Sequence, residues 1–286
     1  MKFELDQPVR IFMIGAGGTG GHTVPHLYRL LHTLDRSVEV ILADGDRVEK
    51  KNLVRQNFIA SDLGKNKAQA LAERYAAAFG MEVQYLPEFI ESSEKLLELL
   101  KHPCYPYSCQ RSEWMSILIG AVDNNRSRQI CHQVFMQSDD LIYIDSGNGE
   151  YTGQVVCGIR RDGRTYWKPV GEAYPDILEN ADKLPTELSC AEASVSAPQS
   201  IAANILAAAA IVAYVYNILV LGSIDVERVT FSARTLNLKP VMAQIGKNGE
   251  GNSDETGKPK TALCPGKTGR GRTCGTADDT GTPYPA

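Results

Sequence analysis

Apolar and polar positions along the 286-residue chain alternate between a strand period and a helix period. Val9–Ile14 is a short buried-strand pattern, and Val24, Leu27, Leu30, Leu31 and Leu34 then put an apolar stripe on one helix face. Val38–Ala43 reads as a second strand. Residues 66–79 read as a helix with Ala68, Leu71, Ala72 and Tyr75 inward. Strand patterns at 83–86, 117–120 and 141–144 alternate with helical patterns at 94–100 and 125–136. Such alternation predicts an α/β fold, a doubly wound and mainly parallel sheet with helices on both faces. Residues 154–159 and Arg164–Trp167, joined through "RRDG", read as a hairpin. Antiparallel strands are therefore expected on the C-terminal side, with late strands at 226–231 and 235–238.

Residues 168–197 lack periodicity and read as a long crossing loop. The apolar run 201–222 after it has the length of a membrane span, about 20 residues. It carries no flanking Lys or Arg anchor, Pro198 suits a first helical turn, and Ala207 to Ala210 favour close packing. A buried helix of a soluble protein is the expected reading, with no membrane partner. After Ile245 the chain turns to Gly, Thr, Lys and Pro, which predicts a domain over 1–245 and a disordered tail over 246–286. The tail's "PGKTGRG" fails the P-loop spacing, because Thr261 stands where Gly is needed and no strand precedes it.

Composition changes this picture little. Charged residues make up 22% and the net charge is -4, so no broad basic field for nucleic acid is expected. Seven cysteines without a dense framework suit a reducing cytoplasm. Met1-Lys2-Phe3-Glu4 has no basic or apolar leader pattern, which agrees with a cytoplasmic location.

The candidate chemistry lies at the ends of the predicted strands. Gly15, Gly17 and Gly20 satisfy G-x-G-x-x-G between a strand and a helix, where backbone N–H groups and the helix dipole favour a phosphate. Asp44 ends the second strand, where an acid accepts from a ribose hydroxyl. Both features suit NAD as well as ATP. The stretch "DGDRVEKKNLVRQNF" then adds Asn52, Arg55 and Gln56; Lys67 follows in "GKNK", and Asp123 opens "DNNRSR". Singly, Arg55 reads as a surface ion pair, Lys67 as a solvated residue and Asp123 as a helix cap. Together at a strand-end crevice, two cations and a carboxylate suit a triphosphate with Mg²⁺.

"IGAGGTGG", "DGDRVEKKNLVRQNF", "LGKNKA" and "AVDNNRSR" occur in order, and over about residues 9–221 the chain resembles the ThiF/MoeB/HesA family of ubiquitin-activating-like adenylyltransferases. Its length and short N-terminus resemble the PRTRC-system branch. The resemblance implies a Rossmann-like fold. It implies nucleotide contacts from Gly15, Gly17, Gly18 and Gly20, ribose binding by Asp44, and phosphate contacts from Asn52, Arg55, Gln56 and Lys67. Asp123 would hold Mg²⁺, and Arg128 would be structural. The implied reaction is ATP-dependent adenylation of the C-terminal carboxylate of a small ubiquitin-like or sulfur-carrier protein, by a homodimer.

"ELSCAEASVSAP" is similar to the family's nucleophile segment, which makes Cys190 the candidate thiol for a thioester or sulfur transfer. Cys131 and Cys157 read as core residues. The chain departs from the family in two ways. It has no C-x-x-C pair, with Cys264 and Cys274 isolated in the tail, so no structural zinc is expected. Only Arg10 precedes the glycine loop, where many members send an arginine into the partner's site. Two other readings stand beside activation: an NAD-dependent oxidoreductase, and a non-catalytic nucleotide-binding scaffold for a carrier protein.

Overall fold

The computed structural model describes residues 1–101, 114–179, 182–184, 187 and 199–243. In chain order the elements are β1 (Val9–Ile14), α1 (Gly18–Leu31), β2 (Val38–Ala43), α2 (Lys67–Phe79), β3 (Tyr85–Leu86), α3 (Ser93–Lys101), β4 (Met115–Gly120), α4 (Asn125–Gln137) and β5 (Leu141–Asn148). There follow β6 (Thr152–Arg161), β7 (Arg164–Trp167), α5 (Val170–Ala173), α6 (Asp176–Glu179), α7 (Ile201–Leu219), β8 (Val226–Ser232) and β9 (Asn237–Met242). Short 3-10 turns, Lys50–Val54 and Ala60–Asp62, lie between β2 and α2.

The strands form one sheet in the order β3-β2-β1-β4-β5-β6-β8-β9, with β7 paired to β6. The first five strands of that order are parallel, and pairing turns antiparallel from β5–β6 onward. The expected α/β class with antiparallel strands on the C-terminal side is therefore present. Ile14 is in register with Ala43 and Gly120, so β1, β2 and β4 end at one level. Gly120 is in register with Asp145, and β5 runs three residues past that level, through Ser146 to Asn148. The order reverses at β1/β4, because β1 continues toward β2 on one side and β4 toward β5 on the other. A crevice opens at such a switch point.

Strand alternation divides the core. Val9, Ile11 and Met13 pack with Val24 and Leu27 of α1, Leu71 of α2 and Ile211 of α7. Phe12 and Ile14 face the other way, against Leu96 of α3, Ile130 and Val134 of α4, Val170 and Ile177. Each such side chain contributes about 1.5–3 kcal/mol by leaving water. Cys131 and Cys157 are fully buried on opposite faces, as expected of core residues. Burial pushes the Cys131 thiol up to about 12, so it stays protonated.

α7 is the one described helix long and apolar enough to cross a membrane, and 50% of its apolar window is buried within the fold. Ala203, Ala207 and Ala210 let it lie close against the sheet face that α1 also covers. The Ser200 hydroxyl caps it, accepting from Ala203 N at 3.1 Å, while Pro198 lies outside the described residues.

Several boundaries differ from the pattern-based reading. β3 begins at Tyr85, since Val83 is exposed outside the sheet. β5 and β6 are longer than predicted because they pair with each other from Leu141 opposite Arg160 to Asn148 opposite Gly153. β9 begins at Asn237, after Leu236 turns the chain with φ 51°. The first part of the crossing segment contains α5 and α6, whose Val170 and Ile177 anchor short turns against α4. Cys190 and the tail at 246–286 lie outside the described residues.

Candidate active site

The crevice at the β1/β4 switch is an open cleft. Gly15, Gly17, Gly18, Asp44, Arg55, Gln56, Lys67 and Asp123 all line it, although these residues are spread over more than 100 positions of chain. Gly20 and Asn52 do not.

The glycines have separate tasks. Gly15 turns the chain with φ 94°, a conformation that favours glycine. A Cβ at Gly20 would overlap the Gly15 carbonyl oxygen, so Gly20 lets α1 start hard against the turn. A Cβ at Gly18 would overlap Asn204 Nδ2 and come within 2.9 Å of Arg55 Nη1. Gly18 thus makes room for two side chains. Gly17 has only Gln56 Nε2, at 3.7 Å, in the Cβ direction, and is the glycine that leaves its surroundings open.

Asp44 is fixed at the end of β2. Its Oδ2 accepts from Ala16 N at 2.7 Å and its Oδ1 from Asp46 N at 2.8 Å. Burial raises its pKa against the lowering influence of Lys67. A carboxylate has about four acceptor positions, so capacity remains for hydroxyl donors.

The two cations are held differently. Lys67 opens α2, is 6% exposed, and its Nζ donates to Asp46 Oδ2 at 2.7 Å. The N-cap Asn66 positions it by accepting from Gln69 N and donating to Asp44 O and Asp46 O. Arg55 follows the Lys50–Val54 turn, and its Nη1 donates to Gln199 Oε1 at 2.7 Å. No carboxylate lies within ion-pair distance of Arg55 among the described residues. Asn52 is buried, and its Oδ1 accepts from Glu49 N at 2.8 Å. It shapes the turn that delivers Arg55 and Gln56 and does not face the cleft.

Asp123 is exposed and has no hydrogen-bond partner among the described residues. Asn124, not Asp123, caps α4, accepting from Ser127 N at 2.8 Å. That removes the cap reading of Asp123 and leaves its carboxylate without a partner among the described residues. Arg128 is structural, as implied. It is buried, pairs with Asp145 at 3.2 Å and donates to Val122 O at 2.6 Å. Arg10 is 5% exposed near the other end of β1, paired with Glu39 and donating to Leu100 O, so it does not reach the cleft.

A family model described as the ThiF family matches residues 6–250. The chain belongs to the ThiF family. No curated protein sequence matches it. The fold is similar to the crystal structure of PaaA, at 18% identity and a TM-score of 0.56, over 84% of this chain and 65% of that one. It is also similar to Escherichia coli MccB crystallised with ATP, at 18% identity and a TM-score of 0.53, over 84% of this chain and 65% of that one. A further MccB structure, with MccA-N7isoASN, gives 18% identity and a TM-score of 0.56 over 82% and 64%. The ThiF-family chain thus spans about two thirds of the length of these relatives, and at such identities the likeness concerns the fold.

Pattern reading of this ThiF-family chain missed the groups that brace the cleft. Asn148 donates to Asn204 Oδ1 at 2.9 Å and accepts from the Thr19 hydroxyl at 2.9 Å, tying β5, α7 and α1 together. Gln199 and Asp46 are the direct partners of the two cations. The one available signal was Asn204, a polar residue near the start of a mostly apolar helical run. Gln56 Oε1, Ser146 Oγ and Asn204 Nδ2 are buried with no hydrogen-bond partner among the described residues. Unsatisfied polar groups gathered beside a cleft are a feature of binding sites.

Proposed function

We propose that this protein uses ATP and Mg²⁺ to adenylate the C-terminal carboxylate of a small ubiquitin-like or sulfur-carrier protein. The observation that carries the reading is that one cleft gathers Lys67, Arg55, which has no carboxylate at ion-pair distance among the described residues, and Asp123, which is exposed and has no hydrogen-bond partner among them. A triphosphate brings negative charge and phosphate oxygens to such a place. Asp44 would accept from the ribose. Gln56 has an amide beside Gly17 and would contact the phosphates. Asp123 would hold Mg²⁺, which needs only one or two carboxylates when phosphate oxygens complete its shell, and which would offset phosphate charge. Among the described residues no cluster of three or more His, Cys, Asp or Glu could hold a metal unaided.

In the proposed step a carboxylate oxygen of the carrier attacks the α-phosphate. The bond to the β-phosphate breaks, giving acyl adenylate and pyrophosphate. The protein contributes orientation and charge neutralisation. A second step would use Cys190, whose thiolate attacks the acyl carbon and expels AMP to leave a thioester. Family membership supports both steps and supports a homodimer. MccB, crystallised with ATP, shares the fold.

One observation favours a second reading, a nucleotide-binding scaffold. Arg10 is engaged far from the cleft, so no described arginine ahead of the glycine loop neutralises phosphate. An oxidoreductase would use the glycine loop and Asp44 but leaves Arg55 and Asp123 without a task.

Calorimetric titration with ATP plus Mg²⁺, and separately with NAD, tests the reading. ATP binding that weakens without Mg²⁺ supports it, whereas NAD binding with ATP silent ends it. Pyrophosphate exchange with a candidate carrier then separates enzyme from scaffold. A Cys190→Ser variant that keeps adenylation and all transfer of product would remove the thioester step.

A further inference from the structure

We infer that Gln199 is a positioning residue that presents Arg55 to phosphate with its charge uncompensated, so that Arg55 dominates the grip on the phosphates. The identity of the nucleotide rests on the adenylation reading above. The two cations of the cleft are unequal. Lys67 already has a carboxylate, Asp46, at 2.7 Å. Arg55 has a neutral amide oxygen at the same distance and, among the described residues, no carboxylate within ion-pair reach. An amide acceptor fixes the direction of a guanidinium without cancelling its charge, and four of its five N–H donors remain for other acceptors.

Gln199 is itself anchored. Its Nε2 donates to Asn148 O at 3.3 Å, at the end of β5. The next residue, Ser200, caps α7. Arg55 is held at its backbone too, where its carbonyl oxygen lies 3.1 Å from His22 Nε2 on α1. Both residues line the cleft, and Arg55 Nη1 stands beside Gly18 at the first turn of α1. The helix start and the guanidinium therefore present positive potential to the same space. A glutamate at 199 would have the same reach but would pair with Arg55 as Asp46 pairs with Lys67.

The test is calorimetry on the full chain with ATP–Mg²⁺, tripolyphosphate and adenosine as separate probes. Gln199→Glu is expected to weaken ATP–Mg²⁺ and tripolyphosphate by about tenfold or more, with adenosine unchanged. Gln199→Met, which fills the same space without charge, is expected to lose clearly less. In an Arg55→Met background, Gln199→Glu should add little, since the pair it forms is gone. Three results would each overturn the inference: Gln199→Glu binding both phosphates like wild type, adenosine weakening in step, or Gln199→Met falling as far as Gln199→Glu. If wild type takes NAD and not ATP, the adenylation reading fails, and the tripolyphosphate comparison still decides the role of Gln199.

Discussion

Arg128 and Asp145 form a buried ion pair, Nε to Oδ1 at 3.2 Å, where α4 packs on the end of β5. Tyr143 completes it by donating its hydroxyl to Asp145 Oδ2 at 2.7 Å. The same guanidinium donates to Val122 O and Ser146 O. It therefore fixes the β4–α4 turn that carries Asp123 to the end of β5. Arg128→Ala should destabilise the fold by about 3–5 kcal/mol at neutral pH, because it leaves a buried carboxylate unpaired.

The pH dependence of that loss is a separate check. Burial raises the Asp145 pKa above 3.8, and Arg128 opposes the rise. Removing Arg128 raises it further. A carboxyl with a raised folded value favours folding most below its ordinary pKa, and that contribution is lost as pH rises through the folded value. The gap between Arg128→Ala and wild type should thus narrow as pH falls from 7.5 toward 5. Urea unfolding at both ends of that range measures it. A gap that widens on acidification would show that Asp145 is not the source.

Asp123 and Asn124 are neighbours with opposite expected roles. Asp123→Asn should leave the melting temperature near wild type, because the side chain is exposed and has no partner among the described residues. It should remove the Mg²⁺-dependent part of ATP affinity. Asn124→Ala should cost about 1 kcal/mol through loss of the α4 cap. Thermal melting paired with titration in the presence and absence of Mg²⁺ distinguishes the two.

Gly20→Ala should destabilise by about 1–3 kcal/mol or more without any ligand, since its Cβ would meet the Gly15 carbonyl. Chemical denaturation of the apo protein reads this directly. Unchanged apo stability would mean that α1 can shift away from the β1 turn.

Lys67 lowers the pKa of Asp44, which burial raises. Lys67→Met should move the Asp44 pKa up. Nucleotide affinity that depends on ionised Asp44 should then begin to fall at a higher pH than in wild type as the solution is acidified. Adenosine titrations across pH 5–8 show the shift, and adenosine excludes a direct phosphate effect of Lys67.

The chemistry-bearing residues were legible to different degrees. Arg55, Lys67, Asp44 and Asp123 stood out because polar side chains at strand ends have little structural reason to cluster. Asn52 stood in the same stretch, yet it shapes the turn from beneath. A motif cannot distinguish a residue that lines a cleft from one that builds its rim, since both are polar and adjacent in sequence. Asp123 was ambiguous with a helix cap until Asn124 was seen to take that place. Gln199 and Asn148 lay in segments with no periodic signal, and their partners are distant in the chain.

The sequence by itself determined the alternation of strands and helices, the glycine turn and the class of sheet. Those follow from local rules: the period of apolar positions, and the restricted backbone of a residue with a Cβ. Tertiary structure decided which glycine faces open space, which cation is compensated and which acid is free. These depend on contacts such as Arg55 with Gln199 and Thr19 with Asn148, separated by more than 100 residues. Local pattern carries no information about such partners, because they meet only when the sheet order brings β1, β2, β4 and β5 to a common edge.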